Sequence, residues 1–210
     1  MPTFGELKAK VSAKLLDPNH TAISALDVGD ALIDSLRYWK QHRFWFNEAH
    51  ATTTLTYNDP VVSGMPSDFL YELPDNGFVI EFNNLSYKLA KRKPDEYDFV
   101  SIKGIGLPYI YTWRFGRFEV YFYPNIAYTM HIYYVKDYAD FSADGDENDF
   151  TTNADRLLYY EALTRLYGEQ RQDDQRAAYY RGMVQQEAAG LVTRSNKNVA
   201  SGRLSIESII

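Results

Sequence analysis

Asp144, Asp146 and Asn148, followed by Thr152 and Asp155, fall at positions 1, 3, 5, 9 and 12 of a calcium-loop pattern. Such a loop gathers carboxylate and carbonyl oxygens around a hard cation. It needs glycine at position 6 for its sharp turn and a bidentate glutamate at position 12. Asp149 and Asp155 stand at those positions instead, and no helical pattern leads into the segment. The residues read better as a solvated acidic turn entering a helix, with Thr152 as its cap and Asp155 three residues on.

Other chemistries find less. The four histidines, His20, His42, His50 and His131, form no HExxH or HxH pair, so no metal site is expected. There is no GxSxG, and Gly104-Ile-Gly106-Leu-Pro108 is a turn rather than a phosphate loop. Sugar hydrolysis would need two carboxylates about 5–9.5 Å apart, and nothing in the chain positions such a pair. No catalytic, cofactor-binding or metal residues are therefore assigned, and no cofactor is expected. Arg37-Tyr-Trp-Lys-Gln-His-Arg-Phe-Trp45 mixes charge with stacking rings, as single-stranded nucleic-acid sites do. Trp39 lies on the apolar stripe of a helix, however, and Phe44 and Phe46 lead into a strand, which favours a structural role. Lys88, Lys91, Arg92 and Lys93 form a second basic patch, suited to solvent or to an acidic partner.

The bulk properties narrow the classes further. A net charge of −6 argues against a protein whose main task is gripping nucleic acid. With no cysteine, disulfides, thiol catalysis and cysteine zinc sites are ruled out. No apolar run approaches the roughly 20 residues of a membrane span, and no signal core is visible, so synthesis in the cytosol is expected. Tyrosine is present in 18 copies, a residue that buries its ring and leaves its hydroxyl wet, suited to sheets and interfaces alike.

The elements that must hold these residues follow from period and caps. Thr3 with Glu6 makes a capping box ahead of Phe4, Leu7, Val11 and Leu15, and Asp17-Pro18-Asn19 ends that helix. Ser24 with Asp27 opens a second helix, with Ile23 and Val28 as its staple and Val28, Ala31, Leu32, Leu36 and Trp39 as its stripe. After Arg43-Phe-Trp-Phe46 the period falls from 3.6 to 2, marking a helix docking onto a sheet. Strands are expected at 50–57, 78–82, 109–113, 117–123 and 128–135, as an antiparallel meander. A helix over 153–167 carries two stripes: Ala154, Leu157, Leu158, Ala162 and Leu166, then Tyr159, Leu163 and Tyr167. Residues 168–174 form a joint, and Ala177, Tyr180, Val184, Ala188 and Leu191 continue as a last helix.

The succession Thr3-Phe-Gly-Glu-Leu-Lys8, Leu15-Leu-Asp-Pro-Asn19, Arg43-Phe-Trp-Phe-Asn-Glu48, Thr52-Thr-Thr-Leu-Thr56 and Met65-Pro-Ser-Asp-Phe69 is distinctive in its order. Gly106-Leu-Pro-Tyr109, Phe122-Tyr-Pro-Asn125, His131-Ile-Tyr-Tyr-Val135 and Arg156-Leu-Leu-Tyr-Tyr-Glu-Ala162 complete it. It resembles the head-to-tail adaptor (connector) proteins of short-tailed phages, the P22-type tail accessory factors, and more distantly the T7-type tail tubular A proteins. The resemblance spans residues 3–192. It implies a non-enzymatic virion protein of the tail or neck, assembled as a ring of usually twelve copies. The ring would bind the portal protein above and the tail nozzle below, with packaged double-stranded DNA passing through its lumen.

The fold class expected is α+β. An antiparallel helical bundle, comprising an N-terminal αα-hairpin and C-terminal helices at 1–48 and 142–194, carries an inserted β-rich domain at 49–141 and an extended tail at 195–210. The second stripe, Tyr159, Leu163 and Tyr167, is the expected subunit interface. Leu204, Ile206, Ile209 and Ile210 are the expected portal-docking residues of the tail. The rival readings are a virion-associated cell-wall hydrolase and a host-attachment or sugar-binding module.

Overall fold

The computed structural model describes residues 2–16, 22–74, 76–99 and 104–200. In chain order its elements are α1 (Phe4–Lys14), α2 (Ala25–Trp39), β1 (Glu48–Leu55), β2 (Phe69–Glu72), β3 (Phe78–Phe82), β4 (Leu85–Lys88), β5 (Ala90–Lys91) and α3 (Pro94–Phe99). Then follow β6 (Ile105–Gly106), β7 (Ile110–Arg114), β8 (Arg117–Tyr121), β9 (Tyr123–Pro124) and β10 (Tyr128–Lys136). The chain closes with α4 (Asp149–Asn153), α5 (Asp155–Arg165), a π-helical turn at Leu166–Gln170, and α6 (Asp174–Ala200). The protein is mixed α and β, divided into a helical unit up to Asn47 and from Asp137 onward, and a β unit from Glu48 to Lys136.

In the helical unit both expected capping boxes form. Thr3 and Ser24 accept the amides of Glu6 and Asp27, whose carboxylates reach back to the cap amides. Each box satisfies two otherwise orphaned N–H groups. The first amides of α1 are also held from a distance, because Phe4 and Gly5 donate to the carbonyls of Asp146 and Asp144, both at 2.9 Å. Gly5 permits this approach: a Cβ there would stand 2.9 Å from Asp144 Cβ. Helix α1 packs on α2 and α5, α2 on α5, and α5 on α6. The shared core includes Leu7, Val11, Val28, Leu32, Leu36, Leu157, Leu158 and Leu163. Each fully buried Leu or Val in it contributes roughly 1.5–3 kcal/mol.

The aromatic run at 43–46 belongs to this helical core. Phe44 stacks on Phe46 at 5.3 Å, and Phe150 meets both rings edge-on. Buried Asn47 fixes the turn by accepting from the Phe44 amide and donating to the His42 carbonyl, both at 2.8 Å. Thr152 is not the cap expected of it. Asn148 caps α4 through the amides of Phe150 and Thr151, and α5 starts after Ala154 without a side-chain cap. Helix α6 likewise runs on to Ala200, so the segment from Ser195 to Ala200 is helical, not extended. Ser195 is buried there, donating to the Leu191 carbonyl and accepting from the Trp45 amide at 3.1 Å. The expected turn at Asp17-Pro18-Asn19 and the tail residues Leu204, Ile206, Ile209 and Ile210 lie outside the described residues.

The β unit keeps the expected strands but not the expected meander. Its main sheet has the order β1-β10-β3-β4, with β2 also paired to β10, so the last strand is central. Tyr128, Met130, Ile132 and Tyr134 form its buried face, as their alternation predicts. The β7–β8 hairpin turns at Phe115-Gly116, where both residues take positive φ, and packs Tyr111, Phe118 and Val120 into the same core. Two short parallel pairings, β5–β7 and β6–β9, complete the unit. Alternation fixes which face a strand buries, not which strand lies beside it, and the meander failed on that point.

Candidate functional site

In the helical unit a groove of about 770 Å³ opens between α1 and α5. Leu7 and Ala13 line its apolar part, Tyr159 and Tyr160 its aromatic part, and Lys10, Lys14, Arg156 and Asp155 supply the charge. The α-helical spacing of Lys10 and Lys14 puts both ammonium groups on one side of α1. Residues 155, 156, 159 and 160 form the facing wall for the same reason. Lys10 is 3.7 Å from Asp155, and Arg156 is 3.9 Å from Glu187, both loose and solvent-exposed pairs. Three cations against one acid leave the groove positive on a chain of net charge −6.

Of the three residues expected at a subunit interface, Tyr159 lines this groove and is partly exposed. Its ring lies 5.1 Å from that of Tyr160. Burial, and then the nearby Tyr180, Tyr160 and Tyr167, push its hydroxyl up to about 12, so it remains a neutral donor at any physiological pH. Leu163 is fully buried and Tyr167 is 2% exposed, stacked on Tyr180 at 5.5 Å. Leu163 and Tyr167 are thus covered within the unit itself, Tyr167 by Tyr180 of α6.

The acidic turn at 144–149 is committed to local structure. Asp146 Oδ2 accepts the amides of Ser142 and Ala143 at 2.6 and 2.9 Å and the Ser142 hydroxyl at 3.1 Å. These bonds hold its carboxyl below the usual aspartate range. Asp144 pairs with Lys8, and Asn148 caps α4. Together the loop joins the start of α1 to the start of α4.

One grouping escaped the sequence reading. The register of β1 on β10 sets Thr52 opposite His131 and His50 opposite Tyr133, so the two histidines become diagonal neighbours. His50 Nε2 lies 3.0 Å from His131 Nδ1, and His131 Nε2 lies 3.2 Å from Glu81 Oε2. The two rings differ by 16° in plane. This is a hydrogen-bonded row Glu81–His131–His50 on the open sheet face. Its members are far apart in sequence, and only their shared polar register on the strands hinted at it. Among the described residues no group of three or more His, Asp or Glu is arranged to hold a metal ion.

The basic segments are mostly engaged within the chain. Arg37 binds Asp140 and Asp34 at 2.7 and 3.1 Å, and Lys40 binds Asp137 at 2.7 Å. Trp39 is buried beside them. In the second patch Lys91 pairs with Glu72, and Arg92 lies 3.6 Å from Glu96. At the β7–β8 hairpin, buried Glu119 receives Arg114 at 2.5 Å and Arg117 at 2.9 Å, which braces the turn carrying exposed Phe115.

No helix among the described residues is long and apolar enough to cross a membrane. A family model described as SU10 adaptor protein matches residues 2–206. The chain belongs to that family, and is therefore a structural adaptor of phage particles. Comparison with curated proteins found no match.

Proposed function

We propose that the protein is the head-to-tail adaptor of a short-tailed phage, in the arrangement of the P22-type tail accessory factors. In this reading copies of the chain form a ring of twelve subunits between the portal protein and the tail nozzle. Double-stranded DNA passes through the lumen without sequence-specific contacts. The observation that carries the reading is the family match over nearly the whole chain. Two features support it. The acidic balance of the chain suits a wall that DNA slides past. Asp155 and Glu187, which line two grooves of the helical unit, are each paired with a cation, Lys10 and Arg156, as in a surface built for structure.

Tyr159 is the proposed interface residue, with Leu163 and Tyr167 behind it holding α5 in place. Leu204, Ile206, Ile209 and Ile210 are the proposed portal-docking residues. Native mass spectrometry of the purified protein, alone and mixed with its portal, tests the proposal. A ring-sized species bound to the portal is expected; a persistent monomer that leaves the portal free would refute it. Removing residues 201–210 tests the tail without touching buried Ser195, and portal binding should then be lost.

A further inference from the structure

The helical unit carries a second surface whose chemistry mirrors the groove. The solvent face of α2 presents Leu26, which is 71% exposed, followed by Asp27, Asp30 and Asp34 over the next two turns. Asp27 is engaged in its capping box and Asp34 pairs with Arg37 at 3.1 Å. Asp30 is exposed and makes no ion pair among the described residues. In the groove Lys14 is in the same position: exposed, and without an ion pair among the described residues. One surface is an acidic helix face with an apolar knob. The other is a basic, tyrosine-lined trough with an apolar floor.

Their placement matters as much as their charge. Helices α1, α2 and α5 pack on one another around a common core. The groove is lined by residues of α1 and α5 and by none of α2, while Leu26, Asp30 and Asp34 are exposed on α2. No ion pair joins Asp30 or Asp34 to Lys10, Lys14 or Arg156 within one copy among the described residues, so the two patches are left to pair elsewhere. Between copies they give a head-to-tail contact, the kind that repeats into a closed ring when the rotation closes.

We infer that the α2 face of one copy docks into the α1–α5 groove of the next, Leu26 seating against the tyrosine-lined trough and Asp30 and Asp34 approaching Lys10, Lys14 and Arg156. The occupant of the groove is a second copy of this chain. This rests on the ring reading above and adds the surfaces that would build it. Charges at such a contact fix partner and register, and like charges brought together there are strongly unfavourable.

A charge-reversal mixing experiment tests the inference. Lys10→Glu/Lys14→Glu reverses the groove's charge, and Asp30→Lys/Asp34→Lys reverses that of the helix face. All four positions are exposed, so thermal midpoints should stay within about 2 °C of the parent. Each variant alone should self-associate on the order of 100-fold more weakly in sedimentation velocity. A 1:1 mixture should reassemble, because every contact between unlike copies is again complementary. As a check independent of folding losses, the cysteine-free chain allows Asp30→Cys and Lys14→Cys copies to be mixed under oxidation. Links between unlike copies should exceed those between like copies. If the parent forms rings and both reversals do so equally well, this contact is overturned while the ring stands. If the parent stays monomeric with portal present and no link forms between unlike cysteines, the contact and the ring both fail.

Discussion

Replacing Asn47 by alanine removes two hydrogen bonds from the turn that seats the aromatic run. Asn47 is fully buried, and its amide bridges the Phe44 N–H and the His42 carbonyl. Phe44 is itself 1% exposed, so water cannot easily replace the lost acceptor. An unsatisfied buried N–H costs about 1–3 kcal/mol, and the second bond, at the less buried carbonyl, contributes roughly 0.5–1.5 kcal/mol more. Asn47→Ala should therefore destabilise the helical unit by about 2–4 kcal/mol. For a unit of this size the thermal midpoint should fall by about 5–15 °C. Asn47→Asp keeps the acceptor for Phe44 but turns an oxygen toward the His42 carbonyl, so it should not restore the loss. Differential scanning calorimetry of the three proteins gives the comparison. A midpoint for Asn47→Ala within about 2 °C of the parent would refute the claim that this side chain pins the Phe44–Phe46 cluster.

Gly5→Ala should cost about 1–3 kcal/mol in denaturant unfolding, since the new Cβ must displace Asp144 and loosen the loop that holds the start of α1; an unchanged midpoint would contradict that close approach. Burial, and then His131, hold His50 below the usual histidine range. The folded chain therefore binds this proton less readily than the unfolded chain. Stability is full above about pH 6.5 and declines as pH falls through the lowered value. His50→Gln should flatten the denaturant midpoint between about pH 7 and pH 5, and an identical slope would count against the pairing with His131. Phe115→Asn should raise the thermal midpoint by about 1–3 °C, because Asn-Gly suits two consecutive positive-φ residues better than Phe-Gly; a lower midpoint would show that the exposed ring supports the hairpin.

Local signals in the sequence carried the parts of the fold that depend on local physics. Thr3/Glu6 and Ser24/Asp27 each announce a helix start in four residues, and both boxes form. The alternation of Tyr128, Met130, Ile132 and Tyr134 announces a buried strand face. What could not be read was pairing at a distance. Nothing near residue 128 says that its strand lies between β1 and β3, and the His50–His131 contact follows only from that register. Asn148 outcompeted Thr152 as a cap because its side chain reaches two free amides at once. The spacing of Tyr159, Leu163 and Tyr167 marks a second apolar stripe, but apolarity does not say whether a neighbouring helix or a neighbouring subunit covers it; for Leu163 and Tyr167 the cover is internal. The groove itself joins α1 to α5 across about 145 positions, a distance over which no sequence pattern speaks.

The adaptor role is tested most directly by cross-linking mass spectrometry on intact phage particles. Lysine-reactive links should join this chain to itself, to the portal protein and to the tail nozzle protein, with Lys10 and Lys14 protected relative to the isolated chain. Finding the chain absent from the particle, or linked to neither portal nor nozzle, would contradict the account.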